Sequence, residues 1–125
     1  MNLVDSSGWL EYFADGPHAG VFLRALKDPG SCLVPGVTIY EVFKVLLRER
    51  GEKEALQAAA TMQRGLVADV TAELAMEAAN LSRKHGLHMA DSLILATARA
   101  HGATIWTQDS HFHSLPGVKY FPNTK

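Results

Sequence analysis

VDSSGWLEYF, residues 4–13, holds the turn on which the fold depends. Residues 2–4 suit a short strand, and Trp9, Leu10 and Phe13 fall on one face of a helix that follows. Asp5 stands between the two, with Ser6 and Ser7 behind it. The chain thus changes from a strand period to a helix period at its fifth residue. The same change recurs downstream, which is the pattern of an α/β chain.

Working outward, Phe22, Ala25 and Leu26 mark a second short helix that ends near Asp28-Pro29-Gly30. Residues 32–34 are strand-like, with Pro35 and Gly36 expected to interrupt them early. Ile39, Val42, Phe43, Leu46 and Leu47 then form an i, i+3, i+4, i+7, i+8 stripe that Gly51 stops. Residues 53–63 are an alanine-rich helix, and 66–70 read as a third strand. A helix over 71–85 starts on Thr71, carries Arg83 and Lys84 in its last turn, and ends at Gly86. Another runs over 89–101 to Gly102, followed by strands at 103–106 and, more weakly, 118–121. Strands separated by helices require crossovers. The expected fold is therefore a three-layer α/β/α sandwich with a central, mostly parallel sheet, as one domain over residues 1–125.

Composition narrows the function. The 125 residues are 47 % hydrophobic and 20 % charged, ordinary for a globular domain. Twelve Lys and Arg against 13 Asp and Glu give a formal net charge of −1, which argues against a large basic nucleic-acid surface. It leaves room for nucleic acid held by a metal ion and a few local cations. Cys32 has no internal disulfide partner. With no long apolar run and no basic segment leading an apolar stretch, the expectation is a cytoplasmic protein without a membrane span.

In a parallel sheet the C-terminal strand ends share one edge, where ligands bind. Asp5 ends the first strand, Glu41 is expected in the first turn of the helix after the second, and Asp109 follows the fourth. Asp91 opens a helix that must run from that edge to the opposite one, so it falls there too. Each acid has a plain structural role available. Asp5 suits a helix N-cap, Thr38-Ile39-Tyr40-Glu41 has the form of a capping box, Asp91 suits a first turn, and Asp109 a polar turn. Caps do not account for four carboxylates converging with no arginine or lysine beside each. Such a cluster repels itself, and a hard divalent cation resolves the repulsion: Mg²⁺ or Mn²⁺, with oxygen ligands and bound water. Such a site can activate water against a phosphodiester.

"LVDSSGWL", "TIYEVFK", "MADSLILATA" and "TQDSHF" resemble, as an ordered set, the acidic motifs of PIN-domain ribonucleases. The small size and close spacing are most similar to VapC toxins of bacterial type II toxin–antitoxin pairs. The resemblance implies an α/β/α fold, an acidic site binding Mg²⁺ or Mn²⁺, endonucleolytic cleavage of RNA, a homodimer, and inhibition by a cognate antitoxin protein. It makes Asp5, Glu41, Asp91 and Asp109 the catalytic acids, with Asp5, Asp91 and Asp109 as metal ligands. Ser6 and Thr107 become the polar residues supporting the first and last acids. In many relatives the last motif is T-x-D-x-D-F; here His111 stands in place of the second acid.

Lys44, at i+3 from Glu41, is a candidate phosphate contact and equally a solvated lysine or an ion-pair partner of Glu41. His88 suits a loop, and His111 with His113 offers too few ligands for a zinc site. Three other functions fit the same pattern. One is a catalytically silent PIN-like module that binds protein or RNA, and another is a non-toxin PIN nuclease in RNA processing. The third is a phosphatase of the haloacid dehalogenase type, which would want an acid where Ser7 stands.

Overall fold

The computed structural model describes residues 1–123. β1 (Asn2–Val4) leads into α1 (Ser6–Phe13) and α2 (Ala19–Leu26). β2 (Leu33–Pro35) is followed by α3 (Gly36–Arg50) and α4 (Glu52–Met62). β3 (Leu66–Ala68), α5 (Ala72–His85), α6 (Met89–His101), β4 (Thr104–Thr107) and β5 (Val118–Tyr120) complete the order. Every strand pairing is parallel. β4 lies between β1 and β5, β2 pairs with β3, and an Asn2–Cys32 bridge joins the two groups. The spatial order is thus β3-β2-β1-β4-β5.

Side chains alternate across a strand, so each strand serves two cores. Leu3, Leu33 and Ile105 face a layer built from α5 and α6, with Ala78, Leu81, Ile94, Leu95 and Ala98. Their neighbours Val4, Val34 and Trp106 face the opposite layer, with Trp9, Phe22, Val42, Leu46, Ala55 and Met62 from α1 to α4. This alternation is what makes the sandwich three layers thick. Leu3, Val34, Phe22 and Phe112 are all sealed from solvent.

Local details depart from the sequence expectations in three places. The third strand ends at Ala68 instead of 70, and its Leu66 and Val67 are exposed. Pro35 completes β2, and α3 begins at once at Gly36. The helix therefore starts two residues before Thr38, and the Thr38–Glu41 capping box does not form. Thr38 is buried in the first turn with an unpartnered hydroxyl, and Glu41 moves to the second turn.

Gly8 is required by packing. A Cβ there would stand 2.5 Å from Val4 Cγ1 and 2.7 Å from Phe22 Cε1, so α1 lies against the end of β1 as closely as backbone permits. At the far end of α6, Gly102 takes the left-handed conformation (φ 62°) that closes the helix and turns the chain into β4.

Candidate active site

β1 and β4 are neighbours, and from β1 the chain goes to strands on one side while β4 and β5 lie on the other. Their C-terminal ends therefore bound the crevice where the sheet changes direction, the usual ligand position in such sheets. Asp5 follows β1 and Asp109 lies two residues past β4. α3 supplies Glu41 and the first turn of α6 supplies Asp91.

Asp5 is buried, at 2 % exposure. Its Oδ1 accepts hydrogen bonds from the Ser7 hydroxyl at 2.7 Å and the Gly8 N–H at 3.1 Å, the latter capping α1. Its Oδ2 accepts from the Thr107 hydroxyl at 2.6 Å. Thr107 in turn accepts the Asp109 N–H at 2.8 Å, and Ser7 accepts the Gln108 N–H at 3.0 Å. Asp5 is therefore tied to the loop after β4, as well as to its own helix. Burial pushes its carboxyl up to about 6 against the pull of these three donors, and the negative charge of Asp109 adds to the rise.

Glu41 and Asp91 are likewise held above the ordinary carboxylate range. Burial is the main cause for Glu41; a Ser6 hydrogen bond pulls it down, while Asp91 and Asp109 push it up. Burial also leads for Asp91, opposed by a hydrogen bond from His111 and reinforced by Asp109. His111 Nδ1 lies 3.1 Å from Asp91 Oδ2 and 3.3 Å from Asp109 Oδ1. The hydrogen bond to Asp91, then the charge of Asp109, raises the imidazole above its usual range. Asp109 Oδ1 also accepts the backbone N–H of His111 at 2.9 Å, capping the short 3₁₀ turn Ser110–Phe112.

The four sequence-derived acids thus lie near enough to repel one another at one edge of the sheet. Asp5 interacts with Asp109, and Glu41 with Asp91 and Asp109. Among the described residues, the lysine and arginine ion pairs are Arg48–Glu49 and Arg50–Glu54, both away from the crevice. Donor atoms of Asp91, Asp109 and His111 lie within 4.8 Å of one another, close enough to share one cation. Asp5 stands behind this group, with both its oxygens already engaged.

The supporting residues are distributed differently from the sequence expectation. Ser7 bonds Asp5, whereas Ser6 lies on the side of Glu41, whose carboxyl it lowers. Thr107 serves the first and last acids together. A helix turns about 100° per residue, so adjacent serines point to different neighbours, and a motif alone does not say which. His111 had a signal in its two-residue spacing from Asp109, but its pairing with Asp91 comes from another helix. Lys44 is exposed and sits over the Tyr40 ring, 5.7 Å from its centroid. No described ion pair joins it to Glu41.

A parallel sheet flanked by helices, with an acidic crevice at its switch point, defines an α/β protein suited to holding a divalent cation. The PIN domain family model matches residues 3–118, and the chain belongs to that family. Among solved structures, a toxin–antitoxin complex from Klebsiella pneumoniae is similar at a TM-score of 0.82 and 22 % identity, over 98 % of this chain and 100 % of that one. VapC20 from Mycobacterium tuberculosis, described as a toxin that cleaves the sarcin–ricin loop, is similar at 0.81 and 25 % identity, again over 98 % and 100 %. DNA-bound VapBC from Salmonella typhimurium is similar at 0.70 and 17 % identity, over 98 % of each chain. No curated protein matched the chain in sequence. No helix among the described residues is long and apolar enough to cross a membrane.

Proposed function

We propose that this protein is a metal-dependent endoribonuclease, Mg²⁺ or Mn²⁺ being the ion, and that it is the toxin of a type II toxin–antitoxin pair. The observation that carries this is the grouping of Asp91, Asp109 and His111 donor atoms within 4.8 Å, at the sheet's switch point, in a crevice that Glu41 also faces. The donors fit a hard divalent ion: carboxylates without lysine or arginine ion pairs among the described residues, three of them held partly toward the protonated form by burial and by neighbouring acids. Asp91 and Asp109 would hold the ion directly, with Asp5 joining them or fixing Asp109 through Thr107. When bound, the ion supplies charge neutralisation at a phosphate and activation of water for attack on phosphorus.

The chain's own groups do the rest. Glu41 faces the ligands from α3 and orients the attacking water. Lys44, three residues further along that helix, contacts an RNA phosphate. VapC20's description as a toxin that cleaves the sarcin–ricin loop, and the toxin–antitoxin complexes among the similar structures, support RNA as substrate and an antitoxin protein as partner. A homodimer in the cytoplasm completes the proposal.

The test is purified protein on structured RNA with Mn²⁺, with cleavage mapped by 5′-end sequencing. Wild type should cut at defined sites, and Asp109→Asn should lose at least about a hundredfold in rate. Expression in cells should arrest growth, relieved by the product of the adjacent reading frame. Intact RNA with wild-type protein, alongside unchanged binding to RNA, would instead establish a silent binding module.

A further inference from the structure

Resting on the metal site just proposed, we propose that His111 is itself a metal ligand, so that the site has a mixed nitrogen–oxygen donor set and favours Mn²⁺ and Co²⁺ over Mg²⁺. The argument is geometric. With metal–ligand bonds of about 2.1 Å, adjacent ligand atoms of an octahedral ion stand about 3.0 Å apart. His111 Nδ1 is 3.1 Å from Asp91 Oδ2 and 3.3 Å from Asp109 Oδ1, the spacing of neighbouring corners of one coordination sphere. The same nitrogen meets both carboxylates at once, and its position is built in. Asp109 caps the turn that carries His111, so ligand and ligand are fixed to each other by the 2.9 Å backbone bond.

An ion entering this group takes the place of the Nδ1 proton, which passes to solvent. The His111 side chain is 54 % exposed, against 15 % for Asp91 and 28 % for Asp109, so its outer side opens to water. Imidazole is a borderline donor. It adds affinity for first-row transition ions in the order Mn²⁺ below Co²⁺, and adds little for Mg²⁺, which keeps to oxygen and sheds water reluctantly. His88 is the nearest competing nitrogen source. Its ring centroid lies 5.8 Å from that of His111, and it flanks α6 without bonding either acid among the described contacts.

Direct evidence comes from pulsed EPR of the Mn²⁺-loaded protein, with Mn²⁺, Co²⁺ and Mg²⁺ affinities from calorimetry. Wild type should show ¹⁴N hyperfine coupling to Mn²⁺. The coupling should vanish in His111→Ala and His111→Asp and persist in His88→Ala. His111→Ala should weaken Mn²⁺ and Co²⁺ at least about tenfold, Co²⁺ more, with Mg²⁺ changed less than about threefold. His111→Asp should bind Mg²⁺ more tightly than wild type, by adding an oxygen ligand. Circular dichroism and melting confirm that each variant is folded. Mn²⁺ bound tightly by wild type without ¹⁴N coupling, or coupling lost in His88→Ala instead, overturns the role of His111 while leaving the metal site standing. No saturable binding of any of the three ions overturns the metal site and this inference with it.

Discussion

The Thr107 hydroxyl donates to Asp5 Oδ2 at 2.6 Å across 102 positions of sequence, and the same hydroxyl oxygen accepts the Asp109 N–H at 2.8 Å. One side chain thus links the acid after β1 to the acid after β4. The parallel pairing Val4↔Trp106 sets the register that makes this contact possible. Thr107→Val keeps the shape and removes both bonds. It should cost about 1–3 kcal/mol, because a buried carboxylate and a half-buried N–H each lose a partner. Thr107→Ser should retain most of the stability. Urea unfolding of the two variants checks this, and equal loss in both would show that the methyl group matters and the hydroxyl does not.

Asp5 makes stability depend on pH in a definite direction. Its folded-state carboxyl is pushed up to about 6 from an ordinary value of 3.8, chiefly by burial. The folded state therefore holds that proton more tightly than the unfolded chain. The contribution is stabilising below about pH 4 and is lost as pH rises through about 6. In EDTA, Asp5→Asn should stabilise the protein at pH 7.5 by up to on the order of 3 kcal/mol, an upper bound because the amide replaces one acceptor by a donor. Near pH 4 the gain should disappear. The same variant should lose RNA cleavage. A substitution that destabilises equally at both pH values would contradict the crowding of charge at this site.

Cation binding should run the other way. Burial holds Asp5, Glu41 and Asp91 toward the protonated form, and each must give up its proton before an ion gains its full attraction. Saturating Mn²⁺ should raise the melting temperature more at pH 7.5 than at pH 5.5. At a free concentration a hundred times the Kd the stabilisation should approach about 2.7 kcal/mol. Differential scanning calorimetry with a Mn²⁺ titration at both pH values measures it, and a shift independent of pH would place the ion elsewhere.

Gly8 tests the packing that aims Asp5. A methyl group there meets Val4 Cγ1 at 2.5 Å and the Phe22 ring at 2.7 Å, both buried and fixed from several sides. Gly8→Ala should cost about 1–3 kcal/mol despite the better helix propensity of alanine, because overpacking outweighs propensity. Thermal unfolding decides. A rise in melting temperature would mean that α1 lifts away from β1 without penalty.

What could be read from the chain follows local periodicity. Strand and helix periods, with Gly86 and Gly102 as stops, place α5 and α6 to within a residue of their observed bounds. The acids' positions at strand ends and helix starts point by themselves to one edge, since a parallel sheet has a single C-terminal edge. The capping box at Thr38 failed for a physical reason: Pro35, with its fixed φ, already turns the chain from β2 into α3.

Backbone periodicity and the order of the acids were properties of the sequence itself, because each rests on neighbours a few residues apart. Which serine serves which acid, and how Thr107 and His111 bridge carboxylates from different elements, were decided by the folded chain alone. Those contacts span from two to 102 positions, and their distances depend on helix phase and strand register, which no short motif encodes. Burial completes the difference: the same aspartate that is an ordinary acid in the extended chain is pushed up to about 6 once the fold takes it out of water.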